Sequence, residues 1–251
     1  VNEIPGIHIG NSELVKKIKK QHQSGIRLFK AEEFDRVDPN GYLIEVDEHG
    51  ILVKAHSPQA MIPGIYSLVQ LSYLNDSKSL PYVRIEDKPR FPYRGMHLDV
   101  SRNFMPFNFL KKYIDLLALY KFNYFHWHIT DGAGWRLEIK QYPELTKKAA
   151  WRTHTLWKDW WNNGRQYVDE GTPNASGGYY TQNQARELVA YAAKRGITII
   201  PEIEMPGHSE EVLAGYPELS CTGIPYTQGE FCLGNEDTYK FLKNVLDEVM
   251  G

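Results

Sequence analysis

Segments with the pattern of strands alternate with segments that have the pattern of helices from residue 93 onward, and this order constrains the fold more than any other feature. The predicted strands are Gly95–Val100, Tyr124–Thr130 and Ile197–Glu204, and an amphipathic helix follows each of them. The loops after the strands are long, whereas the helix-to-strand turns are short. The first loop lacks the glycine-rich turn that is typical of a doubly wound sheet. The pattern therefore predicts an α/β fold containing about three βα units of a (β/α)8 TIM barrel.

The preceding part of the chain has a different pattern, which predicts a separate unit. Apolar spacing predicts a helix around Leu14–Ile18, and two alternating runs within Tyr42–Ala55 predict a β-hairpin. A second helix is predicted to begin at Pro63. Two prolines just after residue 88 interrupt any regular element. We therefore expect a small, non-catalytic α+β domain over residues 1–88 and the first part of the barrel over residues 89–251, ending before strand four.

The composition excludes several classes of protein. A net charge of −2 and a pI near 6.5 do not fit a nucleic-acid-binding surface, which needs a clustered basic excess. The sequence has no run of about 18 apolar residues, so no membrane span is expected. Cys221 and Cys232 flank a loop-like stretch. That spacing is consistent either with a disulfide, which would fit an exported protein, or with two free thiols.

Polar residues occupy one face of each predicted strand, where a barrel normally has bulky apolar side chains. Burying a polar group without a partner costs about 1–3 kcal/mol, and burying an ion costs more. These residues therefore predict a hydrogen-bonded network that serves a function, although an inert structural network is the alternative. The residues are His97, Asp99, His126, His128, Glu202 and Glu204.

Three further polar residues follow the predicted strands directly. They are Arg102, Asp131 and His208, and a barrel enzyme keeps its working groups at such positions. The guanidinium of Arg102 suits sugar hydroxyls or a carboxylate, and Asp131 with His208 could form a carboxylate–imidazole pair. We therefore expect the three side chains to converge at one mouth of the barrel.

Several ordered motifs resemble those of one enzyme family. Tyr93–Phe104 resembles the first barrel strand of family-20 β-N-acetylhexosaminidases. His126–Asp131 and Gly134–Arg136 are similar to the second strand and its loop, and Pro201–His208 is similar to the third. Gly234–Glu236 resembles the segment that leads to strand four. The resemblance covers nearly the whole chain, because the family also has a small domain before its barrel.

The resemblance implies a substrate, a reaction and roles for individual residues. Family members remove terminal, non-reducing, β-linked N-acetylhexosamine with retention, and the acetamido oxygen of the substrate is the nucleophile. By position, Arg102, Trp135 and Glu204 are implied to bind the substrate. Asp131 and His208 are implied to support the catalytic acid.

The sequence departs from the family pattern at two places. The family's orienting Asp and acidic Glu lie in a His-x-Gly-Gly-Asp-Glu segment on strand four, and the sequence has no such segment. We therefore expect this chain by itself to be inactive. In addition, many members have Asp-Asp where this chain has Asp131 followed by Gly132.

Two other functions are consistent with parts of the pattern. The spacing of His126 and His128 on one strand is that of metal ligands in barrel hydrolases, and Asp99 or Glu202 could add oxygen ligands. A non-catalytic sugar-binding protein would need only Arg102 and aromatic platforms. We expect the hexosaminidase function, with no metal and no cofactor, a glycan or oligosaccharide as its partner, and export from the cytoplasm as the family implies.

Overall fold

The structure is a computed structural model that describes residues 26–30, 37–74 and 80–251. The helix predicted around Leu14–Ile18 lies outside these residues. The described chain divides into two compact units. The first contains the residues up to Met96 together with Lys112–Phe125 and Ala190–Thr198, and the second contains the remainder. The domain boundary at residue 88 stays a prediction.

A four-stranded sheet forms the centre of the first unit. Its strands are β1 (Ile26–Lys30), β2 (Tyr42–Asp47), β3 (Gly50–Ala55) and β4 (Val83–Asp87). The order is β1-β3-β2-β4, with β1 parallel to β3 and the other pairs antiparallel. Strands β2 and β3 pair from end to end and confirm the predicted hairpin.

One helix, α1 (Pro58–Leu74), covers this sheet and differs from the prediction. The helix begins five residues before Pro63, because Ser57 accepts a hydrogen bond from the Ala60 N–H through its side-chain oxygen and caps the first turn. Pro63 therefore lies inside the helix, where it removes one backbone donor. Burial of apolar side chains stabilises the helix despite that loss, since Leu68 of the helix and Val53 of the sheet belong to one hydrophobic cluster.

The rest of the chain alternates strands and helices. The elements are β5 (Gly95–Asp99), α2 (Phe107–Leu119), β6 (Tyr124–His128), β7 (Thr130–Asp131), β8 (Gly134–Trp135), α3 (Glu144–Lys147), β9 (Trp151–Arg152), α4 (Trp157–Asn162), β10 (Ser176–Gly177), α5 (Gln182–Ala193), β11 (Thr198–Glu202), α6 (Glu210–Gly215), a 3-10 turn (Pro217–Leu219) and α7 (Glu236–Met250).

Strands β5, β6 and β11 form one sheet in the order β11-β6-β5. The Val100 N–H donates to the His128 oxygen and the Ile129 N–H donates to the Glu202 oxygen, as expected for neighbouring parallel strands. The predicted α/β fold with part of a TIM barrel is confirmed, and the residues that the structure describes do not close a barrel. Strand β6 ends earlier than predicted, because Thr130 pairs with Trp135 in a short antiparallel ladder.

Local signals in the sequence set the ends of two helices. Thr181 and Gln184 exchange side-chain-to-backbone hydrogen bonds at the start of α5, which confirms the predicted capping box. Gly196 takes a φ of 73° after that helix and turns the chain toward β11. The side chain of Asn235 accepts a hydrogen bond from the Asp237 N–H and caps α7. The C-terminal ends of the parallel strands lie beside one another through the backbone hydrogen bonds of Val100 and Ile129.

Candidate active site

The polar faces of the three parallel strands meet, as the strand periodicity predicts. His126 Nε2 lies 2.7 Å from Glu202 Oε2, and His97 Nε2 lies 3.9 Å from the same oxygen. The opposite face of β6 carries Phe125 and Trp127, both buried. Alternation therefore separates an apolar core face from a face rich in imidazole and carboxylate groups.

His128 is the most deeply buried imidazole of this face. Its Nδ1 lies 2.5 Å from Glu202 Oε2, and its Nε2 lies 3.1 Å from Asp131 Oδ2. Burial by itself would lower the pKa of His128, but the hydrogen bonds to Asp131 and Glu202 raise the pKa to about 9. At neutral pH His128 is therefore an imidazolium that donates one N–H to each carboxylate.

Arg102 and Asp131 form the charged centre of the site. Arg102 Nη2 lies 2.7 Å from Asp131 Oδ2, and Nη1 lies 2.9 Å from Asp99 Oδ2. Burial would raise the pKa of Asp131, but the hydrogen bond from His128 and the charge of Arg102 outweigh it and lower that pKa. Asp131 is therefore ionised, and two carboxylates fix the plane of the guanidinium.

His208 completes this cluster from the third strand end. It follows the cis Met205–Pro206 peptide and has a φ of 52°. Its Nδ1 lies 3.5 Å from Asp131 Oδ2 and 3.5 Å from Glu204 Oε1, while the imidazole is exposed. The Glu204 N–H donates to Thr130 Oγ1 at 2.8 Å, which ties this loop to β7. The predicted convergence of Arg102, Asp131 and His208 is confirmed, and their roles stay predictions.

Trp135 does not lie where a sugar-contacting ring is expected. It is 1% exposed, and its indole N–H donates to the Leu137 oxygen at 2.5 Å. Its position in β8, within the buried loop after β6, leaves it no open face in the described residues. The structure gives no support to the predicted direct contact of Trp135 with substrate.

Two buried arginines beneath the site were not predicted. Arg136 donates to five backbone oxygens in the loops that follow β5 and β6. Arg152 Nη2 donates to the Arg102 oxygen at 2.8 Å and so holds the backbone of the charged cluster. Gly134 is the sequence signal beside Arg136, because a Cβ there would collide with the guanidinium. Glycine permits this close approach because it has no Cβ.

Several of these donor groups could also hold a metal ion. In each of three sets within the described part of the chain, the ligand atoms lie within 4.8 Å of one another. Hydrogen bonds and ion pairs among the same atoms already account for their clustering. The absence of a required metal stays a prediction. The sets are His97–His126–Glu202, His128–Glu202–Glu204 and Asp131–Glu204–His208.

The cysteine pairing that the sequence left open is a disulfide in the structure. Cys221 and Cys232 are bonded, with their Cα atoms 4.7 Å apart. The Cys232 N–H donates to the Leu219 oxygen, which closes the same loop. Among the residues that the structure describes, no helix is long and apolar enough to cross a membrane.

Comparison with known sequences finds relatives across most of the chain. A family model described as glycosyl hydrolase family 20, catalytic domain, matches residues 91–251. A β-hexosaminidase of Porphyromonas gingivalis is 38% identical over 83% of this chain and 27% of its own length. A β-hexosaminidase of Akkermansia muciniphila is 32% identical over 93% of this chain and 47% of its own length. The chain thus spans less than half the length of these relatives.

Solved structures give the same family. The crystal structure of a β-N-acetylhexosaminidase from Bacteroides fragilis has a TM-score of 0.74 and 39% identity, and covers 90% of this chain and 42% of that one. An exo β-N-acetylglucosaminidase from Vibrio harveyi, in complex with N-acetylglucosamine, has a TM-score of 0.73 and 33% identity, and covers 89% and 35%. By the extent of the family match and the identity to its members, this chain belongs to glycoside hydrolase family 20.

Proposed function

We propose that this chain forms part of a β-N-acetylhexosaminidase that removes terminal, non-reducing, β-linked N-acetylhexosamine from glycans. The convergence of Arg102, Asp131 and His208 at the ends of three neighbouring strands is the main support for this proposal. Working groups of barrel enzymes lie at this end of the strands. The names of the relatives are consistent with this substrate class.

Arg102 is proposed to hold the hydroxyls of the terminal sugar. Asp99 and Asp131 each occupy one side of its guanidinium, which leaves its other N–H groups for a ligand. A guanidinium fixed before the substrate arrives loses less conformational entropy on binding than a mobile one. Glu204 is proposed as a second sugar-binding group, because its carboxylate lies beside His208 at the same mouth.

Asp131 and His208 are proposed to act through the catalytic acid rather than on the sugar. The ionised carboxylate of Asp131 lies 3.5 Å from His208 Nδ1 and favours the N–H tautomer at that atom. His208 Nε2 can then accept a hydrogen bond from a protonated carboxylic acid. In the family route that acid is a Glu that protonates the leaving oxygen, while the acetamido oxygen attacks the anomeric carbon.

The test uses a form of the protein that includes the family's Asp–Glu segment, which we call the extended form. With a chromogenic β-N-acetylglucosaminide, Arg102→Ala should lower kcat/KM by the equivalent of about 2–4 kcal/mol, largely through KM, because charge-assisted hydrogen bonds are lost. Arg84→Ala, on the exposed edge of the first unit, is the matched control. Turnover by Arg102→Ala equal to that of the control would contradict the assignment.

Two other functions give different results in the same preparation. A metal-dependent hydrolase should contain a stoichiometric metal at the His126–Glu202 cluster and should lose activity on chelation. A non-catalytic sugar-binding protein should bind N-acetylglucosamine without turnover in the extended form. We also propose an exported protein, because the disulfide between Cys221 and Cys232 is favoured in oxidising compartments.

A further inference from the structure

Helix α4, in the loop after β6, exposes a pair of tryptophan rings. Trp157 and Trp161 are 38% and 48% exposed, and their ring centroids lie 5.4 Å apart with a tilt of 33°. Residues four apart lie on the same face of a helix, so both rings point the same way. Leu156 extends this apolar surface. Contiguous exposed aromatic area on a soluble domain is typical of a binding surface.

The third tryptophan of this helix fixes the pair in place. Trp160 is 1% exposed and packs with Ala133, Tyr167 and Ala214. Its indole N–H donates to the Gln166 oxygen at 3.1 Å. Because Trp160 anchors α4 in the core, the two exposed rings are held on a rigid support, and little side-chain entropy is lost when a ligand packs on them.

Polar groups border the rings on one side. The guanidinium of Arg165 lies 4.7 Å from the centre of the Trp161 ring, and its Nη1 lies 3.4 Å from Glu210 Oε1. Both side chains line a cavity of about 120 Å³ together with Tyr226 and Gln228. The paired charges make this surface close to neutral. A polyanion, which needs a basic excess, therefore fits it poorly.

The polar side of this surface contacts the loop that carries Asp131. The Glu210 carboxylate packs against the Cα of Gly132, and the Tyr167 hydroxyl donates to the Gly132 oxygen. The Gly132 N–H donates to Asp131 Oδ1 at 2.7 Å. The Glu210 carboxylate lies close to where a Cβ at position 132 would stand, so a side chain there would require this carboxylate to move. Glu210 therefore lies beside the residue that follows Asp131.

We propose that Trp157, Trp161 and the adjoining cavity form a platform that binds the reducing-side sugars of an N-acetylhexosamine oligosaccharide, beyond the sugar held at Arg102. A saccharide has apolar C–H faces that pack on aromatic rings and hydroxyls that hydrogen-bond to groups such as Glu210 and Gln228. Rigid rings, neutral polar groups and contact with the loop that carries Asp131 match this ligand. The inference rests on the proposed function.

The experiment compares Trp161→Ala and Trp157→Ala with Tyr120→Ala, an exposed aromatic residue in the other unit. In the extended form, hydrolysis of a chromogenic β-N-acetylglucosaminide and of a chitin tetrasaccharide is measured for each variant. Each tryptophan variant should raise KM for the tetrasaccharide about three- to tenfold, the loss expected for one aromatic contact. Values for the chromogenic substrate should stay near wild type, because it has no reducing-side sugar.

A direct titration separates this inference from the proposed function. If the extended form cleaves both substrates and the tryptophan variants match Tyr120→Ala on both, the platform is refuted and the function stands. If it cleaves neither, the proposed function fails. Binding of the tetrasaccharide, monitored by tryptophan fluorescence, then tests whether the platform exists. Weaker binding by Trp161→Ala than by Tyr120→Ala supports it, and equal binding refutes it. A change of oligomeric mass in Trp161→Ala with unchanged sugar binding would instead assign the rings to contact between copies and refute it.

Discussion

Arg136 is expected to hold together the loops that carry the candidate site. Its guanidinium is 1% exposed, has no carboxylate among its hydrogen-bond partners in the described residues, and donates to five backbone oxygens. Burial lowers the pKa of Arg136 to about 10, so the group stays protonated at neutral pH. Arg136→Met keeps much of the volume and removes every donor. The five oxygens are those of Val100, Ser101, Ala133, Ala150 and Gly178.

The magnitude follows from those bonds. The Ala150 oxygen also accepts from the Gly178 N–H, so four oxygens lose their donor. Each buried carbonyl left without a donor costs about 1–3 kcal/mol, which gives a sum of about 4–12 kcal/mol for four. Removal of the buried charge offsets part of this sum, and water that enters beside the shorter methionine side chain satisfies part of the rest. We therefore expect Arg136→Met to lower the free energy of unfolding by about 3–5 kcal/mol. Arg136→Lys, with three donors instead of five, should cost roughly half as much.

Urea denaturation of the chain, followed by tryptophan fluorescence, measures both variants. Arg186→Met on the exposed face of α5 is the matched control and should change the free energy by less than about 0.5 kcal/mol. A loss below about 1 kcal/mol for Arg136→Met, with Arg136→Lys no more stable than Arg136→Met, would show that the carbonyl oxygens are satisfied without the guanidinium. That result would contradict the role assigned to Arg136.

The remaining predictions concern two titratable groups and turnover. Because the pKa of His128 is raised to about 9, its protonation stabilises the fold fully below about pH 6.5, and this contribution is lost as pH rises through about 9. The free energy of unfolding of the wild type should therefore fall by up to about 3 kcal/mol between these pH values. His128→Gln should remove this fall, as measured by urea denaturation at both pH values. Glu211 is buried, its Oε2 has no hydrogen-bond partner in the described residues, and burial raises its pKa well above the usual value. Since ionising it is unfavourable in the fold, Glu211→Gln should be more stable than wild type above about pH 4.5, increasingly so with rising pH; equal pH profiles would contradict this. The 251-residue chain should not hydrolyse a chromogenic β-N-acetylglucosaminide, because its sequence lacks the family's Asp–Glu segment; turnover matching the extended form would place the acid within this chain.

The predictions that the structure confirms came from periodic and short-range patterns in the sequence. Alternation along β6 is sufficient to place His126 and His128 opposite Phe125 and Trp127, because successive side chains of a strand point to opposite faces. The capping box at Thr181 depends only on residues three apart. The convergence of Arg102, Asp131 and His208 followed from the position of each residue just after a parallel strand.

The features that the sequence did not predict depend on long-range packing. The sequence alone determined the order of strands and helices, the polar strand faces and the family, because these features depend on local periodicity and on ordered motifs. It could not distinguish buried Trp160 from exposed Trp161, place Trp135 in the interior, or pair Cys221 with Cys232. Nor could it show that Arg136 binds carbonyl oxygens from loops far apart in the chain. Those features depend on which distant segments meet, and only the tertiary structure brings those segments together.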